Sequence, residues 1–170
     1  IQTHLRDLAM SQAMVSIEVG GDDPADEVTF LLSANPGSPP RPLTKVASGG
    51  ELARVMLAIR LNMIDDDGAT LVFDEVDAGI GGTAAISVGS ALAHLGERHQ
   101  VIVVTHLAQV AAQADHQIRI VKRSDGQSTL TKVVPVSGED RVVELARMLA
   151  GTVTDRALDH ARDLLASSET

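Results

Sequence analysis

Apolar positions along this chain switch between three spacings, and each switch marks an element. Ile1, Leu5 and Leu8 lie at helical spacing and predict the last turns of a helix. Ala13, Val15, Ile17 and Val19 then alternate with polar residues, as do Val28, Phe30 and Leu32. With Gly20-Gly21-Asp22-Asp23-Pro24 between them, the two runs predict a β-hairpin. Residues 35–42 contain Pro36, Pro39, Pro40 and Pro42, which exclude a helix and predict an exposed, stiff connector. The stretch near residue 40 is also the boundary the sequence marks most clearly. A helix follows over 49–64, with Leu52, Val55, Met56, Ile59 and Met63 as its buried stripe, and Asp65-Asp66-Asp67-Gly68 ends it.

The pattern changes again at Thr70-Leu71-Val72-Phe73 and at Val101-Ile102-Val103-Val104. Both are short continuous apolar runs, as expected for strands buried on both faces of a parallel sheet. Ile86, Val88, Leu92 and Leu95 between them predict a covering helix, which makes a β-α-β unit. Beyond it come a short helix near 107–114 and strands near 117–122 and 128–136, with Asp125-Gly126 as a hairpin signal. Helices over 139–150 and 155–166 close the chain, with Gly151 between them and Thr154 as an N-cap.

Composition narrows the function classes. The chain has 170 residues, enough for a real core, and that core must be aliphatic because the only aromatics are 2 Phe. This argues against a surface that stacks on nucleobases. The formal net charge of −9 and the absence of any basic cluster longer than Lys122-Arg123 argue against a free-standing DNA-binding domain. No Cys is present, which excludes disulfides and thiolate metal sites. No apolar run reaches membrane-spanning length. The chain starts at Ile1 and reads as a piece of something longer.

Four short motifs could carry chemistry. Ser48-Gly49-Gly50-Glu51 heads the 49–64 helix. It reads equally as a capping box and as an anion site at a helix N-terminus. The cap explains Ser48 and Glu51 but not two glycines, each costing about 1 kcal/mol of helix propensity against alanine. Glycine there lets a ligand or another backbone come close. Asp74-Glu75 ends the first buried strand, where open α/β sheets bind ligands. One carboxylate can serve Mg²⁺ and its waters while the other orients or deprotonates an attacking water. A lone Asp-Glu pair also fits a solvated loop. His106 follows the second buried strand, at the same sheet edge, and is a candidate for touching a phosphoryl group or the attacking water. Asp77-Ala78-Gly79-Ile80-Gly81-Gly82 forms a glycine loop, and no G-x-x-x-x-G-K-[ST] occurs anywhere.

Taken in order, these motifs resemble the ABC ATPase superfamily, in the chromosome-maintenance branch that includes the SMC and Rad50 families. The matching segments are Val46-Ala47-Ser48-Gly49-Gly50-Glu51-Leu52-Ala53-Arg54, Leu71 to Gly82 and Val104 to Ala111. The resemblance implies an α/β fold: the C-terminal lobe of an ABC-type P-loop ATPase head, a largely parallel sheet covered by helices with an N-terminal β-hairpin. It implies that residues 1–9 end a returning coiled-coil helix and that 10–170 form the C-terminal half of the head, without Walker A. By the same resemblance Asp74 would hold Mg²⁺, Glu75 would be the general base and His106 would contact the γ-phosphate. Asp77 would couple two heads, and Ser48, Gly49 and Gly50 would contact ATP bound to the opposite head.

The implied cofactors are ATP and Mg²⁺. The implied partners are the N-terminal Walker A half of the same protein, a second head in a homodimer, and DNA through the full-length protein, with no membrane. The implied setting is cytoplasmic and nucleoid-associated, in recombinational repair of DNA double-strand breaks. Two other readings stand beside this one. The isolated chain is an inactive interaction module that needs its N-terminal half, or it belongs to an ABC transporter subunit. Ala47 and Glu51 stand where transporters usually carry Leu and Gln, which favours the chromosome-maintenance branch.

Overall fold

A computed structural model describes residues 1–23, 27–46, 48–63, 68, 70–124 and 129–168. The expectations for Pro24, Asp65-Asp66-Asp67 and Asp125-Gly126 lie outside the described residues. The chain divides into two units, Ile1–Thr105 and His106–Thr170.

In the first unit, helix α1 (Gln2–Asp7) is short, and Leu5 and Leu8 are fully buried. Strands β1 (Met14–Gly20) and β2 (Glu27–Ser33) pair antiparallel as the alternation predicts. Val15 faces Leu32, Ile17 faces Phe30 and Val19 faces Val28, so the apolar residues share one side of the ribbon. The proline-rich stretch does not separate domains. It ends in β3 (Arg41–Pro42), which pairs with β2 at the edge of a three-stranded sheet. An edge strand tolerates Pro42 because proline has no N–H to give to an inner ladder.

Helix α2 (Gly49–Asn62) forms where expected, but it is rotated from the predicted stripe. Its buried residues are Gly50, Arg54, Val55, Leu57, Ala58 and Leu61, while Met56 and Met63 are 42% and 52% exposed. Hydrophobic spacing counts neither glycine nor arginine as core. Gly50 and Arg54 are what α2 turns inward, for a reason that lies in the site below.

Strands β4 (Thr70–Asp74) and β5 (Gln100–Val104) pair parallel, joined by helix α3 (Gly82–Gly96). This is the predicted β-α-β unit. Helix α3 buries Ala85, Val88, Gly89, Leu92 and Leu95 and leaves Ile86 40% exposed. The strands are not buried on both faces. Phe73 is buried and Leu71, Val101 and Val103 are half-buried, whereas Val72, Ile102 and Val104 are 65%, 47% and 58% exposed. No layer among the described residues covers that second face.

The second unit contains α4 (Ala108–Ala111), an antiparallel pair β6 (Gln117–Ser124) and β7 (Thr129–Val136), α5 (Gly138–Ala150) and α6 (Asp155–Ser168). Ala108, Ala111, Val142, Leu145, Ala157, Ala161 and Leu164 form its core. Arg141 on α5 donates to the carbonyls of Ala111 and Ala112, both at 3.1 Å, and so satisfies the C-terminal end of α4. Buried Glu144 pairs with Arg147 and, at 3.4 Å, with Arg119 on β6.

Thr154 caps α6 as predicted: its Oγ1 accepts from the Ala157 N–H at 3.3 Å. Thr154→Ala is expected to cost about 1 kcal/mol, read as a lower denaturant midpoint at unchanged slope.

Candidate functional site

Strand β4 delivers Asp74 to its carboxyl end, exposed. The chain then turns at once. Glu75 takes a left-handed backbone, φ 57°, which is uncommon outside glycine and asparagine. Its carbonyl accepts from the Ala78 N–H at 3.0 Å, which closes a tight turn over 75–78. Val76 is fully buried inside that turn and Asp77 is 2% exposed. The Asp77 carboxylate accepts a hydrogen bond from Thr105 Oγ1, just past the end of the neighbouring strand β5.

The N-terminus of α2 packs against this turn. Ser48 is the N-cap in extended backbone, and its Oγ accepts from the Glu51 N–H at 3.3 Å. The Ser48 half of the capping box is therefore observed. The two glycines have a separate reason. A Cβ on Gly50 would lie 2.8 Å from Ala78 Cβ and 2.9 Å from the Ala78 carbonyl oxygen, closer than real side chains come. A Cβ on Gly49 would lie 2.9 Å from Glu75 Oε2. Glycine here is what lets the helix approach the turn, as one of its two sequence readings required. The Glu75 carboxylate consequently rests at the positive end of α2, where a negative group is stabilised.

Two residues of this arrangement were given no role by the sequence reading. Arg54 is 6% exposed, and its Nη1 donates to the carbonyl oxygens of Ala78 at 3.0 Å and Val76 at 3.4 Å. Burial holds its guanidinium below the ordinary arginine value, with the nearby Glu51 carboxylate acting the other way. The available signal was its position four residues after Gly50, on the same side of the helix. Thr105 is the second, and only its place immediately after a buried strand pointed to it.

The first unit thus brings Ser48, Gly49, Gly50, Glu75 and Asp77 together, and Asp74 shares with Gly49 the lining of a cleft of about 440 Å³ between α2 and β4. His106 is exposed and is the first residue of the second unit. Among the described residues no group of three or more His, Cys, Asp or Glu could hold a metal ion. Adjacent Asp74 and Glu75, both exposed at the carboxyl end of β4, offer the oxygen donors that Mg²⁺ takes beside its waters and substrate phosphates.

The fold resembles part of an SMC head domain. The Smc head domain with a coiled coil and joint from Pyrococcus yayanosii matches with a TM-score of 0.58 at 19% identity, over 99% of this chain and 28% of that one. A second Smc head, from Pyrococcus furiosus, bound to the C-terminal domain of ScpA, matches with a TM-score of 0.57 at 20% identity, over 99% of this chain and 36% of that one.

Sequence comparison is more specific. The DNA repair protein RecN of Streptomyces coelicolor is 46% identical over 97% of this chain and 32% of its own length. RecN of Deinococcus radiodurans is 46% identical over 95% of this chain and 29% of its own length, and RecN of Treponema pallidum is 52% identical over 82% and 25%. No protein-family model matches. The chain belongs to the RecN family, and it spans less than a third of the length of these curated relatives. No helix among the described residues is long and apolar enough to cross a membrane.

Proposed function

We propose that this chain is the C-terminal half of an ATPase head that acts in recombinational repair of DNA double-strand breaks, as part of a RecN-like protein. The observation that carries the reading is the bare face of the parallel pair. Parallel strands are almost always covered on both sides, yet Val72, Ile102 and Val104 are exposed. The remaining length of a RecN-sized protein, with the Walker A segment, supplies the missing layer and the grip on the nucleotide phosphates. An SMC ATPase chain described for ATP-driven dimerization and DNA-stimulated activation has a similar fold, with a TM-score of 0.50 at 21% identity over 87% of this chain and 90% of that one, and agrees with this reading.

In the completed head each residue has a distinct task. Asp74 would hold Mg²⁺, which would supply positive charge against that developing on the phosphates. Glu75 takes the proton of the attacking water, and its turn places it one residue beyond Asp74. His106 contacts the γ-phosphate. Ser48, Gly49 and Gly50 present the N-terminus of α2 to ATP held by a second head, where the helix dipole favours phosphate. Asp77, anchored by Thr105, fixes the loop through which the two heads meet. ATP binding then pairs the heads of a homodimer and hydrolysis releases them, with DNA engaged by the full-length protein in the cytoplasm, on the nucleoid.

Titration of the 170-residue chain with Mg²⁺ and ATP is expected to show no saturable binding at micromolar concentrations. The full-length protein is expected to bind ATP and turn it over. Micromolar binding by the short chain alone would count against the division of labour, and a full-length protein without ATP turnover would overturn the reading altogether.

A further inference from the structure

The resemblance to ABC heads assigns work to Ser48, Glu75 and their neighbours, and none to Arg54. Yet Arg54 is the buried cation of this site, and its partners are unusual. Its Nη1 donates to two main-chain carbonyls of one turn, Val76 at 3.4 Å and Ala78 at 3.0 Å. Removing a guanidinium from water is costly, and carbonyl partners offset that less well than a carboxylate does. An aliphatic residue would fill the same space without that cost. What arginine adds is a directed hold on the backbone immediately after Glu75.

That backbone needs holding. Glu75 sits at φ 57°, and the Ala78 N–H closes the turn on the Glu75 carbonyl. A left-handed glutamate persists only where its surroundings over-determine it. Arg54 grips the far side of the turn, Thr105 grips Asp77 within it, and Gly50 leaves room for Ala78. Of these, only Arg54 and Gly50 belong to α2, whose N-terminus carries Ser48.

We propose that Arg54 is a positioning residue: by tying the Val76 and Ala78 carbonyls to α2, it sets the orientation of Glu75 and couples it to Ser48, Gly49 and Gly50 at the N-terminus of that helix. Arg54 touches neither nucleotide nor the reacting water. It acts through the backbone of the turn. This rests on the ATPase reading above.

The test uses the full-length protein, its Arg54→Met variant, which keeps the aliphatic stem, and its Arg54→Lys variant, which keeps one charged donor. Arg54→Met is expected to lower kcat by about tenfold to a hundredfold, as misplacement of a reacting group does. KM for ATP is expected to stay within about twofold, because the Walker A segment that grips the nucleotide is untouched. Arg54→Lys is expected to fall between parent and Arg54→Met. Hydrogen exchange is expected to speed up at the amides of the 75–80 segment and not along the rest of α2.

If Arg54→Met does not fold, Arg54→Lys decides: a kcat indistinguishable from the parent overturns the proposal. So does a folded Arg54→Met with parental kcat. A fall in kcat that only tracks a loss of thermal stability, with exchange rising throughout α2, overturns it too, because that is the mark of lost packing alone. The parent is the control for the underlying reading. A parent that turns over ATP beside indifferent variants removes only the role of Arg54, whereas a parent with no turnover removes both.

Discussion

Glu75→Gln in the full-length protein is expected to lower ATP turnover by about 10²- to 10⁴-fold while leaving ATP binding and head pairing in place. The substitution removes the proton acceptor and little else. Gln matches Glu in size and in its tolerance of the left-handed backbone that Glu75 adopts. Asp74 precedes it on β4 and keeps the carboxylate proposed to hold the metal. Glu75 is exposed, so neutralising it leaves no uncompensated buried charge behind. Steady-state turnover, nucleotide titration and particle size under ATP separate the three effects. The expected variant is tightly paired and nearly inert. Normal turnover would remove Glu75 from the role of base.

Much of this arrangement was legible in the chain, for particular reasons. The 70–73 and 101–104 runs, with Ile86 to Leu95 between them, yielded β4, α3 and β5 because strand and helix periods differ sharply there. Asp74 and Glu75 could be placed at a strand end because the apolar run stops at them. The inward face of α2 was not legible. The cue for it is a glycine and an arginine, and both acquire meaning only from the 75–78 turn, which is distant from α2 in sequence but lies against Gly50 in space. The proline-rich stretch misled for a similar reason, since pairing of β3 with β2 is a long-range event that composition does not announce. The full burial expected of Val72, Ile102 and Val104 failed because no layer among the described residues covers that face of β4 and β5.

Gly50→Val is expected to destabilise the folded protein by about 3 kcal/mol, and Gly49→Ala by far less. The contrast follows from what each side chain would strike. At Gly50 the obstacles are Ala78 Cβ at 2.8 Å, the Ala78 carbonyl oxygen at 2.9 Å and the Glu75 carbonyl oxygen at 3.1 Å. Those atoms are fixed by the turn and by Arg54, so relief requires the helix and the turn to part. At Gly49 the obstacle is Glu75 Oε2, the free end of a flexible side chain. It can swing away, and alanine returns about 1 kcal/mol of helix propensity. Gly49→Ala should therefore be near neutral in stability but slow in turnover, because the displaced group is the proposed base. Denaturant midpoints and ATP turnover of the two variants, measured together, check this. Equal destabilisation at both positions would mean that the turn does not sit against α2 as described.

The left-handed backbone of Glu75 has a consequence for any selection that rewards stability alone. A glutamate in that region costs roughly 1–2 kcal/mol against a residue that accepts it freely. A library randomised at position 75 and sorted only for heat resistance would accordingly enrich Gly and Asn and discard Glu. Sorted for ATP consumption, the same library would return to Glu. The two winners would differ at a single site, and the gap between their melting temperatures would measure how much robustness the protein forgoes to keep its chemistry.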